Sequence, residues 1–438
     1  MGILNGMERE VPFLLGKGEK EKAKAFRNAG YTAIIGTTTI IFLILCLISF
    51  LGRDSYETLT RVALPLIGAA LVLQIHTFLY NQVFMADQNF TPISQSWTIQ
   101  SLLNFALSIG LVYKMGIYGL IVALIVSNLT AVLFLRSRAT FRFRVQWNGA
   151  LVWHLFKRGV PVFAYLWLGF LLRQVDKLVI IAMLPRIELG YYGIAGTIAG
   201  MLVYITSSAS FVLFPQLLRK FGKTGEIGAL ARTLKEPTFA FSIFVPVLLA
   251  LVYLWIHIPV VHFLPKFAPG IDAMRILVLG TLFLSISSLP SYFLITVNRT
   301  KVLLIGGALI VALEAVLNVA LVNAGLGIRG VALGAAICQF LYGTILLAYT
   351  FRLIPDEGES TLRSVIRTYA PSLYVAAVVA ALFHFIPVTP GSLREDIVRG
   401  IIHGLLFVIA TAPLWIHLQR KTGVLSLAWN IVTGRRKQ

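Results

Sequence analysis

Charged residues are scarce in this chain of 438 residues, since Asp, Glu, Lys and Arg make up 13% of it and hydrophobic residues 58%. The mean hydropathy is +0.83. A soluble globular protein usually carries about 25% charged residues, so this composition excludes an ordinary soluble fold. Cysteine is also scarce, because only Cys46 and Cys338 occur, both inside apolar runs. Their spacing indicates neither a disulfide framework nor a zinc site.

Acidic residues are the rarest charged class, with 18 Asp and Glu against 38 Lys and Arg, a net charge of +20. The basic residues lie in short stretches between apolar segments rather than on one soluble face, so a nucleic-acid partner is not expected. The N-terminal stretch is charged before the first long apolar run, unlike a signal peptide. Phosphate-loop motifs and clustered histidines are missing from the sequence, so we expect no cofactor, no metal and no enzymatic activity.

Long apolar segments recur along the chain, each close to the ~20 residues that a helix needs to cross a bilayer. Loops on one side of this arrangement hold 27 of the 38 basic residues and loops on the other side hold nine. Because positively charged loops stay in the cytoplasm, both termini are predicted to be cytoplasmic. Twelve transmembrane helices are predicted, near residues 31–51, 62–84, 93–113, 116–135, 160–184, 189–213, 237–258, 273–296, 301–323, 328–350, 368–387 and 397–418.

The chain also contains an internal repeat. Residues 101–135 and 315–349 each contain a Leu-Asn pair, ending at Asn104 and Asn318, then a Gly-Ile-x-Gly turn and a long apolar run. Upstream, PFLLGK beginning at Pro12 matches PQLLRK beginning at Pro215. The copies run in the same chain direction, which predicts two like-oriented lobes.

We therefore expect an all-α polytopic membrane protein of about 12 transmembrane helices. The expected parts are an N-terminal lobe of four helices at 1–145, a C-terminal lobe of six helices at 146–352, and two additional helices with a basic tail at 353–438. Two predicted helices precede Pro215 within its repeat, whereas none precedes Pro12. The repeat thus predicts that the first two helices of the first lobe are missing.

Several stretches resemble a known family. They are NGMEREVPFLLGKGEKEKA near the start, the segment from LLRQVDKLVI to FPQLLRKFG in the middle, and VNRTKVLLIGGALIVALEAVLNVALVNAGLGIRGVALGAA. The chain resembles the polysaccharide-export flippases of the multidrug/oligosaccharidyl-lipid/polysaccharide superfamily, of the O-antigen and teichoic-acid exporter type. The resemblance covers nearly the whole chain through loose motifs. It implies a two-lobed helical fold and translocation of a polyprenyl-diphosphate-linked glycan.

Three charged residues lie within one predicted helix, in the sequence LLRQVDKLVI. Charges inside a bilayer are costly and by default functional. On a continuous helix Arg173 and Lys177 share a face, and Asp176 neutralises part of their charge. One interpretation is a polar face that meets the diphosphate and sugars of the substrate. The alternative is an internal Arg–Asp pair that pins this helix to a neighbour.

Glu314 is the other charged residue at the middle of a predicted helix. It is either a structural partner of Arg173 or Lys177 or a site for a proton or a sodium ion. Asn104 and Asn318 occupy matching positions of the repeat. They are candidates for substrate contact, and the alternative is a hydrogen bond between packed helices.

The predicted function is a flippase of the cytoplasmic (inner) membrane that moves a lipid-linked oligosaccharide, such as an O-antigen unit of lipopolysaccharide, by alternating access. Its expected partners are that substrate, membrane lipids and a glycan polymerase, and a coupling sodium ion or proton is left open. One alternative is a multidrug-type cation antiporter, which should have carboxylates dominating its cavity, whereas here two basic and two acidic residues lie within the predicted helices. The others are a membrane glycan polymerase or ligase, and a scaffold that transports nothing.

Overall fold

The structure is a computed structural model that describes residues 2–52, 58–354, 360–386 and 391–422. Nearly all of this backbone is helical, and the described residues form no β-strand, which confirms the all-α prediction. Two short 3₁₀-helices lie at Gly228–Leu230 and Pro265–Gly270. The α-helices are α1 (Gly2–Gly16), α2 (Lys20–Leu51), α3 (Thr58–Ala86), α4 (Thr91–Met115), α5 (Ile117–Arg138), α6 (Gly149–Leu172), α7 (Val175–Met183), α8 (Arg186–Thr224), α9 (Ala231–Trp255), α10 (His257–Phe263), α11 (Ile271–Thr296), α12 (Thr300–Asn323), α13 (Gly327–Leu353), α14 (Thr361–Phe385) and α15 (Leu393–Thr422).

Ten segments of the described chain are helices long and apolar enough to cross a membrane, so the protein is a multi-pass membrane protein. They correspond to ten of the twelve predicted helices and lie at Lys20–Leu51, Thr60–Ala86, Ile117–Arg138, Arg186–Thr224, Gly228–Phe263, Pro265–Thr296, Thr300–Asn323, Gly327–Leu353, Thr361–Phe385 and Leu393–Gln419. Their apolar surface is exposed in helical stripes. On α2, for example, Ile40, Leu43, Leu47 and Phe50 are all exposed. Such exposed apolar stripes are stable against the acyl chains of a lipid bilayer.

The other two predicted helices are not among these ten, for separate reasons. Residues 93–113 lie in α4, a full-length helix that Gln95, Gln100 and Asn104 make too polar to be among the ten. Residues 160–184 are divided between α6 and α7 by a turn at Arg173 and Gln174. There, the Arg173 and Gln174 N–H groups donate to the carbonyls three residues back, at 3.1 and 2.8 Å. This tighter hydrogen bonding ends the first helix.

The internal repeat is visible in the turns between paired helices. The α4–α5 turn places Gly116 at φ 55°, and the α12–α13 turn places Gly327 at φ 51°. Such positive φ angles favour glycine, because a Cβ atom is strained there. The two Gly-Ile-x-Gly motifs found in the sequence therefore fold into the same kind of turn.

The first of two compact units comprises the described residues of Met1–Phe163 together with Pro215–Gly225. Its core is built around Met7, Leu79 and Leu155, all 2% exposed or less. Backbones approach closely where Pro215–Gly225 meets α1, since a Cβ on Gly222 would lie 2.2 Å from the Phe13 carbonyl oxygen. The extended segment 139–148 is fixed to α2, because the Gln146 N–H donates to Thr32 Oγ1 at 2.8 Å.

The second unit comprises the described residues of Ala164–Phe214 and Glu226–Gln438. Its centre is α11, which packs against α9 and α13 and is buried along most of its length. Glycine allows this packing, because a Cβ on Gly343 would lie 2.7 Å from the Phe283 carbonyl oxygen. Helices α14 and α15 pack on α9, where Phe407 is fully buried.

Candidate functional site

A cavity of about 370 Å³ lies within the second unit. Residues of α6, α8, α11, α12 and α13 line it, together with Arg173 from the turn between α6 and α7. Arg173 is the only charged side chain among the described residues of its lining. Eight hydroxyl groups line it as well, those of Tyr165, Tyr204, Ser207, Ser287, Ser288, Ser291, Tyr292 and Tyr342. We call it the hydroxyl pocket.

Hydrogen bonds within the protein hold several of these hydroxyl groups in place. Ser291 Oγ donates to the Ser287 carbonyl at 2.9 Å, and Ser288 Oγ lies 2.7 Å from Ser210 Oγ. Tyr342 Oη donates to the Leu303 carbonyl at 3.1 Å. A hydroxyl that donates to a carbonyl keeps its oxygen lone pairs as acceptors. The pocket thus presents fixed acceptors beside a cation with five donors.

Arg173 makes no ion pair with Asp176 in the described part of the chain. The Arg173 side chain is exposed rather than packed against other protein atoms. The helix break accompanies this arrangement, since Arg173 lies in the turn and Asp176 lies in the first turn of the next helix. The predicted shared face of Arg173 and Lys177 assumed one continuous helix, which the structure divides at Arg173 and Gln174. Arg173 lines the hydroxyl pocket instead.

A second polar cluster lies among α7, α8 and α12. Asp176, 6% exposed, accepts a hydrogen bond from Asn318 Nδ2 at 3.0 Å and another, very short, from Tyr192 Oη. Glu314 is fully buried and close enough to Asp176 for the two carboxyl groups to interact. We call Asp176, Tyr192, Glu314 and Asn318 the carboxyl cluster. Lys177 is close enough to interact electrostatically with Asp176.

The carboxyl cluster has spare acceptors. Both carboxyl oxygens of Glu314 and the Oδ1 atom of Asn318 are buried without a donor. Two adjacent buried carboxyl groups cannot both stay charged without a counter-ion, because repulsion adds to the cost of desolvation. A shared proton or a bound monovalent cation would satisfy them. Within the described residues, no cluster of three or more His, Cys, Asp and Glu suits a multivalent metal.

A family model described as a polysaccharide biosynthesis protein matches residues 17–227. The Vibrio cholerae MATE transporter VcmN in its bent form has 17% identity and a TM-score of 0.66, over 84% of this chain and 86% of that one. The chain thus resembles the multidrug/oligosaccharidyl-lipid/polysaccharide (MOP) superfamily in sequence over residues 17–227 and in its fold. Its sequence resemblance to that superfamily is confirmed.

Two further solved structures have a similar fold. The eukaryotic MATE transporter AtDTX14 has 14% identity and a TM-score of 0.63, over 85% of this chain and 86% of that one. An outward-facing multidrug resistance MATE family transporter of the MOP superfamily has 14% identity and a TM-score of 0.66, over 80% and 83%. Identities this low show the fold alone. No curated protein sequence matches the chain.

The structure brings together only some of the residues that the sequence singled out. Asp176, Glu314 and Asn318 meet in the carboxyl cluster, and Arg173 lines the hydroxyl pocket. Asn104 lies in the first unit, where its Nδ2 atom is 3.4 Å from Ser127 Oγ on the neighbouring helix. That contact matches the alternative of a bond between packed helices.

Sequence reasoning missed the hydroxyl groups and Tyr192. The serines of α11 carry the clearest signal, since SISSLPS places four of them within one apolar helix. Serine inside a membrane helix is common and usually bonds its own backbone, so the run alone does not indicate a pocket. The tyrosines gave no signal, because their positions are scattered through the sequence.

Proposed function

We propose that the protein is a flippase of the cytoplasmic membrane, with both termini in the cytoplasm, that moves a polyprenyl-diphosphate-linked oligosaccharide by alternating access. The hydroxyl pocket is the observation that carries this proposal. Its guanidinium suits a diphosphate, which arginine binds through paired charge-assisted hydrogen bonds. Its eight hydroxyl groups suit the hydroxyls of a sugar.

The size of the pocket limits what it holds. A volume of about 370 Å³ is near the lower end of small-molecule sites, which span roughly 300–1,000 Å³. The pocket therefore holds the diphosphate with the sugar next to it, and the rest of the glycan lies outside. The polyprenyl chain needs no protein cavity, because hydrocarbon surrounds the spanning helices.

The carboxyl cluster is the proposed coupling site. A proton or a sodium ion bound between Asp176 and Glu314 would change how α7 packs on α12. Helix α12 also lines the hydroxyl pocket, and α7 begins directly after the turn that places Arg173 in that pocket. Exported oligosaccharide units require assembly outside the membrane, so a glycan polymerase is the proposed protein partner. The proposed lobes are those expected from the repeat, 1–145 and 146–352, with the additional segment 353–438.

The test is flipping of a labelled lipid-linked oligosaccharide in proteoliposomes. Arg173→Ala should slow flipping about tenfold to a hundredfold, the effect of losing one charge-assisted hydrogen bond of about 1.5–3 kcal/mol. Arg173→Lys keeps the positive charge but loses the paired donors, so its flipping rate should lie between those of wild type and Arg173→Ala. Arg186→Ala, which removes the same charge at the exposed start of α8, is the matched control. Wild-type flipping by folded Arg173→Ala protein would refute the assignment.

A cation antiporter is the second candidate, since MATE transporters share this fold and the carboxyl cluster suits a cation. It would extrude an organic cation in exchange for a proton or sodium ion at Asp176 and Glu314. Arg173 argues against it, because a positive charge lining the pocket repels a cationic drug. Extrusion of a cationic dye that Glu314→Gln abolishes, with no flipping of lipid-linked glycan, would favour the antiporter.

A further inference from the structure

A second cavity, of about 390 Å³, lies within the first unit. Its walls come from the end of α1, the first two turns of α2, the end of α3 and Arg219 of α8. Four cations line it, those of Lys20, Lys24, Arg27 and Arg219, against the carboxylates of Glu21 and Asp87. We call it the basic pocket. It shares no residue with the hydroxyl pocket.

Backbone packing fixes Arg219 in the basic pocket. A Cβ on Gly16 would lie 2.1 Å from the Arg219 carbonyl oxygen, so the end of α1 is in direct contact with this turn of α8. The Arg219 guanidinium donates a very short hydrogen bond to the Ala86 carbonyl. It also lies 3.7 Å from Asp87. The position of this cation is therefore set by three helices.

Arg27 is fixed from another side. Its guanidinium carbon lies 4.9 Å from the centroid of the Phe141 ring, in the segment that lies over α2. Such a cation–π contact orients the planar group without using its hydrogen-bond donors. The Nε atoms of both Arg27 and Arg219 are buried with no acceptor. Two rigid guanidinium groups thus line one cavity with donors to spare.

The acidic residues of the basic pocket do not neutralise it. Glu21 is 90% exposed and only 3.9 Å from Lys24, an arrangement that contributes little in water. Burial raises the pKa of Asp87, although Arg219 and Arg27 oppose that rise. The Asp87 side chain is also 47% exposed, so water screens its 3.7 Å contact with Arg219. Four cations facing two carboxylates leave an excess of two positive charges.

We infer that the basic pocket binds a phosphate-bearing ligand, taken either from the headgroup of a membrane lipid or as a free phosphate or diphosphate. Two fixed guanidinium groups and two lysines present the donors and the charge that several phosphate oxygens require. The helix start at Lys20 adds the partial positive charge of the α2 N terminus. The bound phosphate displaces Asp87 as the partner of Arg219. This inference does not depend on the cargo proposed for the hydroxyl pocket.

The experiment measures binding by the full-length protein in phosphatidylcholine nanodiscs. Inorganic diphosphate and inorganic phosphate are titrated by calorimetry, and phosphatidic acid is added to the nanodiscs and detected on the protein by native mass spectrometry. Arg27→Gln and Arg219→Gln should each weaken binding about tenfold to a hundredfold. Lys223→Gln, which removes an exposed charge from the same helix as Arg219, should leave it unchanged.

Asp87→Asn makes the test two-sided, because removal of the competing carboxylate should tighten binding a few-fold. Binding of diphosphate alone supports the inference with a soluble ligand, and binding of phosphatidic acid alone supports it with a lipid. Binding of neither probe, or equal binding by wild type and both folded arginine variants, overturns it. These experiments measure binding and not glycan flipping. A negative result would therefore contradict the basic pocket as a phosphate site without bearing on the flippase proposal, which the Arg173 variants test.

Discussion

The close contact between α1 and the Pro215–Gly225 segment predicts that Gly222→Ala destabilises the protein. A Cβ at this position would lie 2.2 Å from the Phe13 carbonyl oxygen, whereas ordinary contact begins at 3.4 Å, so two backbones would have to separate by 1.2 Å. No side-chain rotation relieves this overlap. Overpacking of this kind costs about 1–3 kcal/mol or more, and the better helix propensity of alanine returns only about 1 kcal/mol.

Gly36→Ala is the matched control, since Gly36 lies within α2 and its added Cβ would meet nothing within 4 Å. That variant should be as stable as wild type or gain up to about 1 kcal/mol. Thermal unfolding of both purified variants, followed by tryptophan fluorescence in one detergent, gives the comparison. Gly222→Ala should also bind diphosphate more weakly, because the shift moves Arg219. Equal melting temperatures for the two variants would refute the predicted contact.

Three further predictions concern carboxyl groups. Burial raises the pKa of Glu8 from 4.5 to about 7, so its contribution to stability is complete below pH 4.5 and is lost as the pH rises through 7. Glu8→Gln should remove this slope, worth up to about 3 kcal/mol, from pH-dependent unfolding measurements. Glu314→Gln should leave the protein folded and abolish the pH or sodium dependence of transport, and unchanged dependence in proteoliposomes would contradict the coupling role. Asp396→Asn weakens the 2.8 Å contact with His262 Nε2 and should lower thermal stability by about 1–3 kcal/mol.

The sequence was sufficient for the fold class and for most helices, because a membrane requires about 20 apolar residues per helix. It failed where a helix is broken, whereas the polar helix α4 was predicted and is present. Gln100 lowers the hydropathy of α4, yet its Nε2 atom donates to Asn128 Oδ1 at 2.8 Å on α5, so helix packing satisfies the polar group. The break at Arg173 has no glycine or proline to announce it.

The candidate site was predictable in its charges and unpredictable in its grouping. Asp176, Glu314 and Asn318 stand out because buried charge and amide groups are costly in hydrocarbon. That Glu314 meets Asp176 rather than a basic residue depends on how α7 and α12 pack, since the two residues are far apart in the sequence. Tyr192 completes the cluster from α8 and carries no charge that would have marked it.

The break between α6 and α7 explains how one short sequence serves two opposite chemistries. Arg173 and Asp176 are three residues apart, and on an unbroken helix they would be neighbours able to neutralise each other. The turn instead leaves Arg173 beside hydroxyl groups, where it suits an anion, and turns Asp176 toward Glu314, where the pair suits a proton or cation. Because α7 begins between the two sites, movement of this helix on binding at one site would alter the geometry of the other. That shared element is the physical basis of the coupling that we propose.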